Sequence, residues 1–344
     1  MTTFNPDMLQ LTRQYRHFTQ KDVALGTSLT QGFYSKIEKG EAVPSVEVVH
    51  KLSEFLKVPE DFFKLEYQLQ GMPMSLHPLF RKRLSLGKHD KESMQAMMNL
   101  YLIHLDRMLQ NTKHQSLNLP VYFGENVITA EKAANAVREF WGVPTGPLLG
   151  LTQLIENSGC IVIMADFGRS VKIDGVTMRN FEHLPPVIFL NKRTPADRLR
   201  FTLAHEIGHV VMHCGQHESE MAEEQANIFA SELLMPRADI FHDLEKVTIE
   251  RLAMLKWKWK VSMGALLMRA KRVEAISEER SSYLWRRMST LGYRTQEPPE
   301  TAFAPEQPVR LQEILNENLV KLGNKSELCA YLHVHAEDYI NFYR

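Results

Sequence analysis

Between residues 7 and 66 apolar positions return every three or four residues: Met8-Leu9, Val23-Ala24, Phe33-Tyr34-Ile37, Val48-Val49-Leu52 and Phe55-Leu56. That period belongs to helices that bury one stripe, and it predicts five short helices. Gly40 ends the third and Pro44-Ser45 opens the fourth. Residues 67–90 lose the period and are locally basic (Arg81-Lys82-Arg83, Lys88), as a linker would be. Helical spacing resumes over about 91–112, 131–142 and 146–158, the last two parted by Gly142 and the Pro144-Thr145-Gly146-Pro147 turn. Strand-like runs occur only in the middle: Cys160–Met164, Val171–Thr177 and Val187–Leu190. Thr194-Pro195-Ala196-Asp197 then reads as a helix start, with Thr194 as cap and Asp197 completing a capping-box variant. A further helix spans Met221–Met235. After Pro236 the pattern is helical to Arg344, interrupted by the Pro-rich stretch 297–308. The class is α+β, mostly α, with segments 1–66, 67–128 (linker and helical connector), 129–245 and 246–344.

Composition narrows the partners. The chain has 41 basic and 41 acidic side chains, and residues 1–66 alone are near neutral, so overall charge announces no nucleic acid. Cys160, Cys214 and Cys329 lie far apart with no CxxC pair, which fits a reducing compartment rather than a disulfide scaffold. The first eighteen residues lack the apolar centre of a signal peptide, and no apolar run approaches the ~20 residues of a membrane span. The expectation is a cytoplasmic protein.

The chemistry concentrates in His205-Glu206-Ile207-Gly208-His209. On a helix, positions i and i+4 share a face, so the two imidazoles can meet one metal ion. Zinc acidifies a water towards a pKa of ~7, and Glu206 stands beside it to take the proton during attack on a peptide carbonyl. Composition alone gives about 0.05 chance occurrences of HExxH, so the supporting context matters. Zinc needs a third protein ligand. The metzincin spacing would require Gly at 212 and His at 215; Met212 and Gly215 exclude it. The next helix offers Glu223 and Glu224, and Asn227, one turn beyond Glu223, can orient a ligating group. His213 shares the face of His205 but stands two turns away, out of reach of the same ion, and reads as a wall of the site or an outer partner of a ligand, a packed, hydrogen-bonded histidine by default. Cys214 reads as a small core residue and His217 as loop surface.

The strings RFTLAHEIGHVVMH (200–213) and EEQANIFASELLMP (223–236) resemble the ImmA/IrrE metallopeptidases, over roughly residues 130–240. The resemblance implies a gluzincin-like core in which His205, His209 and Glu223 bind zinc and Glu206 is the general base.

The stretch TQGFYSKIEKG (30–40), preceded by a helix beginning at Thr19-Gln20, is similar to the Cro/cI-type (XRE) helix-turn-helix over about residues 7–63. That implies a five-helix lambda-repressor-like domain whose third helix enters the major groove. In its register Gln31, Gly32, Tyr34, Ser35 and Lys36 face the groove or backbone, Gln20 reaches a phosphate, and Phe33 and Ile37 are core. Ser28 stands where the family usually has its turn glycine. With 8 Lys or Arg against 9 Asp or Glu in residues 1–66, operator binding calls for a homodimer.

Residues 248–275 read as two helices flanking Lys260-Val261-Ser262, with Ser262 as cap and Trp257, Trp259, Met263, Leu266 and Leu267 as core. Lys256, Lys258, Lys260, Arg269, Lys271 and Arg272 would form a basic, solvated face. Residues 309–344 read as three more helices. The two resemblances together imply a regulator that binds a DNA operator and carries a zinc endopeptidase, acting on an XRE-type repressor or on its own 67–90 linker in a stress or phage response. The alternatives are a transcription factor whose zinc domain senses without cutting, or an antitoxin-like regulator.

Overall fold

The computed structural model describes residues 4–67, 69, 87–122, 128–169, 171–178, 184–213 and 220–343. Four helices open the chain: α1 (Pro6–Tyr15), α2 (Gln20–Gly26), α3 (Gln31–Glu38) and α4 (Val46–Leu56). Each begins at a side-chain cap: Asn5, Thr19, Thr30 and Ser45 accept from backbone N–H groups of the first turn, and Thr19 with Asp22 completes a capping box. Ser28 sits at φ 58 between α2 and α3, so the turn keeps its left-handed residue although a serine fills it. The fifth element is a 3-10 turn, Glu60–Lys64, that buries Phe62 and Phe63. Phe55 and Leu56, expected to start it, close α4 instead. The expected linker lies mostly outside the described residues, including Arg81, Lys82 and Arg83.

Next come α5 (Lys88–Gln110), α6 (Ala130–Phe140) and α7 (Leu151–Asn157), then β1 (Ile161–Ala165), β2 (Gly175–Met178) and β3 (Val187–Asn191). The sheet order is β1-β3-β2, with β1 and β3 parallel and β2 antiparallel at an edge. Val171–Asp174 stays outside the ladder, so β2 is shorter than its alternation suggested.

The sheet divides two hydrophobic cores, because successive strand residues point to opposite faces. Ile161, Ile163, Val176, Met178, Val187 and Phe189 join one core with the first four helices and α5. Cys160, Val162, Ile188 and Leu190 join the other, with α6 and α7, and the helices that follow β3 are divided between the two cores.

Those helices are α8 (Ala196–Met212), α9 (Glu220–Leu234), α10 (Arg237–Leu244), α11 (Ile249–Trp259), α12 (Met263–Arg272), α13 (Glu278–Thr290), α14 (Arg310–Leu322), α15 (Lys325–Leu332) and α16 (Ala336–Tyr343). The start of α8 differs from expectation. Thr194 makes no cap; its hydroxyl donates to Asp174, 2.9 Å away, and Asp197 instead receives the ammonium of Lys256 at 2.6 Å. Ser262 caps α12 as its sequence suggests.

The C-terminal third is not one body. The helices α11–α13 complete the core of α8 and α9, whereas α14–α16 cross to the other side and pack on α5 and α1. Arg16 forks onto Asp338 at 2.8 and 2.5 Å, and Tyr15 stacks on Phe342 with ring centroids 5.3 Å apart. Two side chains of the expected basic face are buried in ion pairs: Lys256 between Asp197 and Glu297, and Arg269 against Glu232. Trp257, expected in the core, is 48% exposed beneath the ammonium of Lys260, while Trp259 is buried. Among the described residues no helix is long and apolar enough to cross a membrane.

Candidate metal centre and nucleic-acid interface

Helix α8 carries His205 and His209 one turn apart on the face turned to α9, and Gly208 lets the two helices close. A Cβ built on Gly208 would stand 3.0 Å from the Phe229 ring and 3.4 Å from the Ala226 backbone. Across that contact α9 presents Glu223. His205 Nε2 and His209 Nε2 are 3.0 Å apart, and the Glu223 oxygens lie 3.3 and 3.2 Å from them. All three donors fall within 4.8 Å of one another. Tetrahedral ligands at a Zn–N distance of ~2.05 Å are separated by about 3.3 Å along each edge, so the triangle has the size zinc requires. Glu223 Oε1 is buried without a hydrogen-bond partner, an orphan that a cation would satisfy. The residues fit a zinc ion. Glu224, the other candidate on this helix, is exposed and points away, its carboxylate 4.0 Å from Arg272.

Each imidazole turns its other nitrogen outward. His205 Nδ1 lies 3.1 Å from Asn227 Oδ1, and His209 Nδ1 lies 3.1 Å from His213 Nδ1. His213 in turn meets Gln225 Oε1 at 2.9 Å through Nε2. Burial opposes ionisation of Glu223, but the nearness of the His205 and His209 rings outweighs it and holds the carboxyl at about 2. Burial also works against a charged His205; Glu223 and Glu206 overcome it and raise its pKa. His213 is pushed down by burial.

Glu206 is 3% exposed and receives a 2.6 Å hydrogen bond on Oε2 from the hydroxyl of Thr177. Thr177 lies on β2 and alternates with Val176 and Met178, so it faces α8 while they face the opposite core. Sequence reading missed this contact and that of Gln225. Strand alternation placed Thr177 on one of two faces, but only the packing of β2 against α8 says which. Cys214 and His217 lie outside the described residues.

In the N-terminal domain, α3 exposes Gln31, Gly32 and Lys36, with Ser35 half-buried. Tyr34 does not face the groove: it is fully buried beside the Arg13–Glu38 pair, while Phe33, expected in the core, is 37% exposed. The stripe of α3 is set by Tyr34 and Ile37, three apart, rather than by Phe33 and Ile37. Gln20 is half-buried and its amide donates to Glu38 Oε1 at 3.3 Å instead of standing free for a phosphate.

A helix-turn-helix domain and, on the other side of the sheet, a helix pair that brings two imidazoles and a carboxylate together define a DNA-binding protein with a metallopeptidase-type domain. Family comparison agrees: residues 9–63 match the helix-turn-helix family, and residues 163–271 match the IrrE N-terminal-like domain. The chain thus carries an XRE-type helix-turn-helix fused to an ImmA/IrrE-like domain, and the second match continues through α11 and α12, past the expected boundary at 245. No curated protein matches the chain.

Proposed function

We propose that this chain is a cytoplasmic regulator that binds a DNA operator as a homodimer and cuts protein with a zinc-dependent endopeptidase site. Its substrate is an XRE-type repressor or the chain's own 67–90 linker. The observation that carries the reading is the buried, orphaned Glu223 Oε1 closing a triangle with His205 Nε2 and His209 Nε2. When bound there, zinc supplies a Lewis acid that acidifies water and polarises a peptide carbonyl. The chain's own residues do the rest. Thr177 occupies Glu206 Oε2 and fixes the carboxylate, leaving Oε1 as the oxygen to take a proton from the attacking water and pass it to the leaving amine. Asn227 fixes the ring of His205 so that Nε2 faces the triangle.

The same contact favours a second reading. A glutamate 3% exposed and engaged by Thr177 suits a metal-responsive switch that never cleaves, with zinc as a structural ligand. The discriminating experiment incubates zinc-loaded protein alone and with XRE-type repressors encoded in its own genome, beside the Glu206→Gln variant. Products cut by the wild type and not by Glu206→Gln establish the peptidase. Intact proteins throughout, with operator binding that responds to zinc, establish the switch.

A further inference from the structure

We propose that His213 is a positioning residue for the metal centre: fixed by Gln225 in the tautomer that carries its proton on Nε2, it accepts from His209 Nδ1 and so aims the His209 lone pair into the Glu223 triangle. The inference rests on the metal reading above and assigns the site a part that the triangle alone does not contain.

The argument is a proton count. Two ring nitrogens, His209 Nδ1 and His213 Nδ1, face each other at 3.1 Å, so one of them must donate. On its far side His213 Nε2 lies 2.9 Å from Gln225 Oε1, which can only accept. His213 Nε2 is therefore the donor there. A neutral imidazole has one N–H, so His213 Nδ1 is left as an acceptor and His209 Nδ1 must donate to it. His209 Nε2 then carries the free lone pair, and that nitrogen stands 3.2 Å from Glu223 Oε1 and 3.0 Å from His205 Nε2. The proton order Gln225, His213, His209 ends with a ligand atom pointing the right way.

The partner of His205 is reached directly. Asn227 Oδ1 accepts from its Nδ1 at 3.1 Å, so His205 is set by one residue of α9. His209 lies a turn closer to the end of α8, and His213, the C-cap residue of that helix, spans the gap to α9. Both ligand rings are thus oriented from α9, one directly and one through His213. Removing an outer partner of a metal-ligating histidine typically weakens metal binding by about 10–100-fold.

The test measures zinc affinity of the full chain by competition with a chromophoric chelator, together with imidazole ¹⁵N NMR to read tautomers. His213→Leu should weaken zinc binding by roughly 10–100-fold. His213→Asn, whose Oδ1 falls near the lost Nδ1, should return affinity to within a few-fold of wild type. Gln225→Ala should cost less than His213→Leu, and should populate the other His213 tautomer in the metal-free protein. The Co²⁺-substituted protein should show an altered d–d spectrum in His213→Leu and a native one in His213→Asn, a signature that a purely packing role would not produce. Equal zinc affinity of wild type and His213→Leu, a failure of Asn to rescue, or a proton found on His213 Nδ1 would overturn the proposal. A wild type that binds no zinc would instead overturn the metal reading, and the two failures stay distinct because the tautomer is read without metal.

Discussion

The metal centre and the recognition helix are both short helical motifs, yet they answered to sequence differently. In the candidate centre the helical period by itself puts His205 and His209 on one face, and of Glu223 and Glu224 it is Glu223 that lies within reach of both. On α3 nothing inside the chain obliges Gln31, Gly32 and Lys36 to converge; their counterpart is another molecule. The phase of the helix was therefore read from its apolar residues, and Phe33-Tyr34 offered two choices 100° apart. The structure buries Tyr34 and exposes Phe33. Residues one turn apart on a single helix are fixed by spacing alone, whereas a face that waits for a partner is fixed only once the core is known.

The largest effect that would break this contrast is on chemistry. Glu206→Gln keeps size and shape, so zinc content and fold should persist while peptide cleavage slows by ~10²–10⁴-fold or more. Metal analysis and cleavage of the same preparation check it. Next comes the phase of α3. Tyr34→Ala should cost about 3–5 kcal/mol of stability, as large aromatic truncations in a core do, and Phe33→Ala less than about 1. Denaturant titration of both variants reads the difference, and equal losses would return α3 to the register expected from sequence. Gln31→Ala should leave stability unchanged and weaken operator binding by roughly 1–3 kcal/mol with relaxed sequence preference, measured by competition against shuffled DNA.

A smaller effect is on pH. The metal-free site holds the pKa of His205 up and that of Glu223 at about 2. A raised histidine pKa means that protons compete with zinc at and above the ordinary histidine pKa of 6.5, so zinc affinity should climb as pH rises past it. The depressed carboxyl has the opposite sign in the metal-free protein. Its contribution to stability is present above the unfolded pKa and is lost as pH falls from 4.5 towards about 2. Chelator competition across pH and acid titration of the metal-free protein measure the two separately.

What was legible followed the range of the interaction. Caps at Thr19, Ser45 and Ser262 join residues three apart and could be read directly. Thr194 looked like another, but its hydroxyl is drawn to Asp174, 20 residues back. Lys256 and Arg269 looked like a solvated basic face because Asp197, Glu297 and Glu232, which bury them, lie 59, 41 and 37 residues away. The division of the last third between two cores was hidden for the same reason. Each helix there shows an apolar stripe, and the stripe does not name its counterpart.

The sheet has a consequence for heredity as well as for folding. Helix-turn-helix and peptidase-type segments each match a separate family, which suggests parts that can be cut and rejoined. Three strands whose alternate residues serve both cores make that surgery costly. A fragment beginning at residue 87 would leave Ile161, Ile163, Val187 and Phe189 without the first four helices and with only α5 and α14–α16 to cover them. Two ancestries share one wall, so the halves should melt together and insertions that persist in descendants of this gene should fall in the loops that leave the sheet untouched.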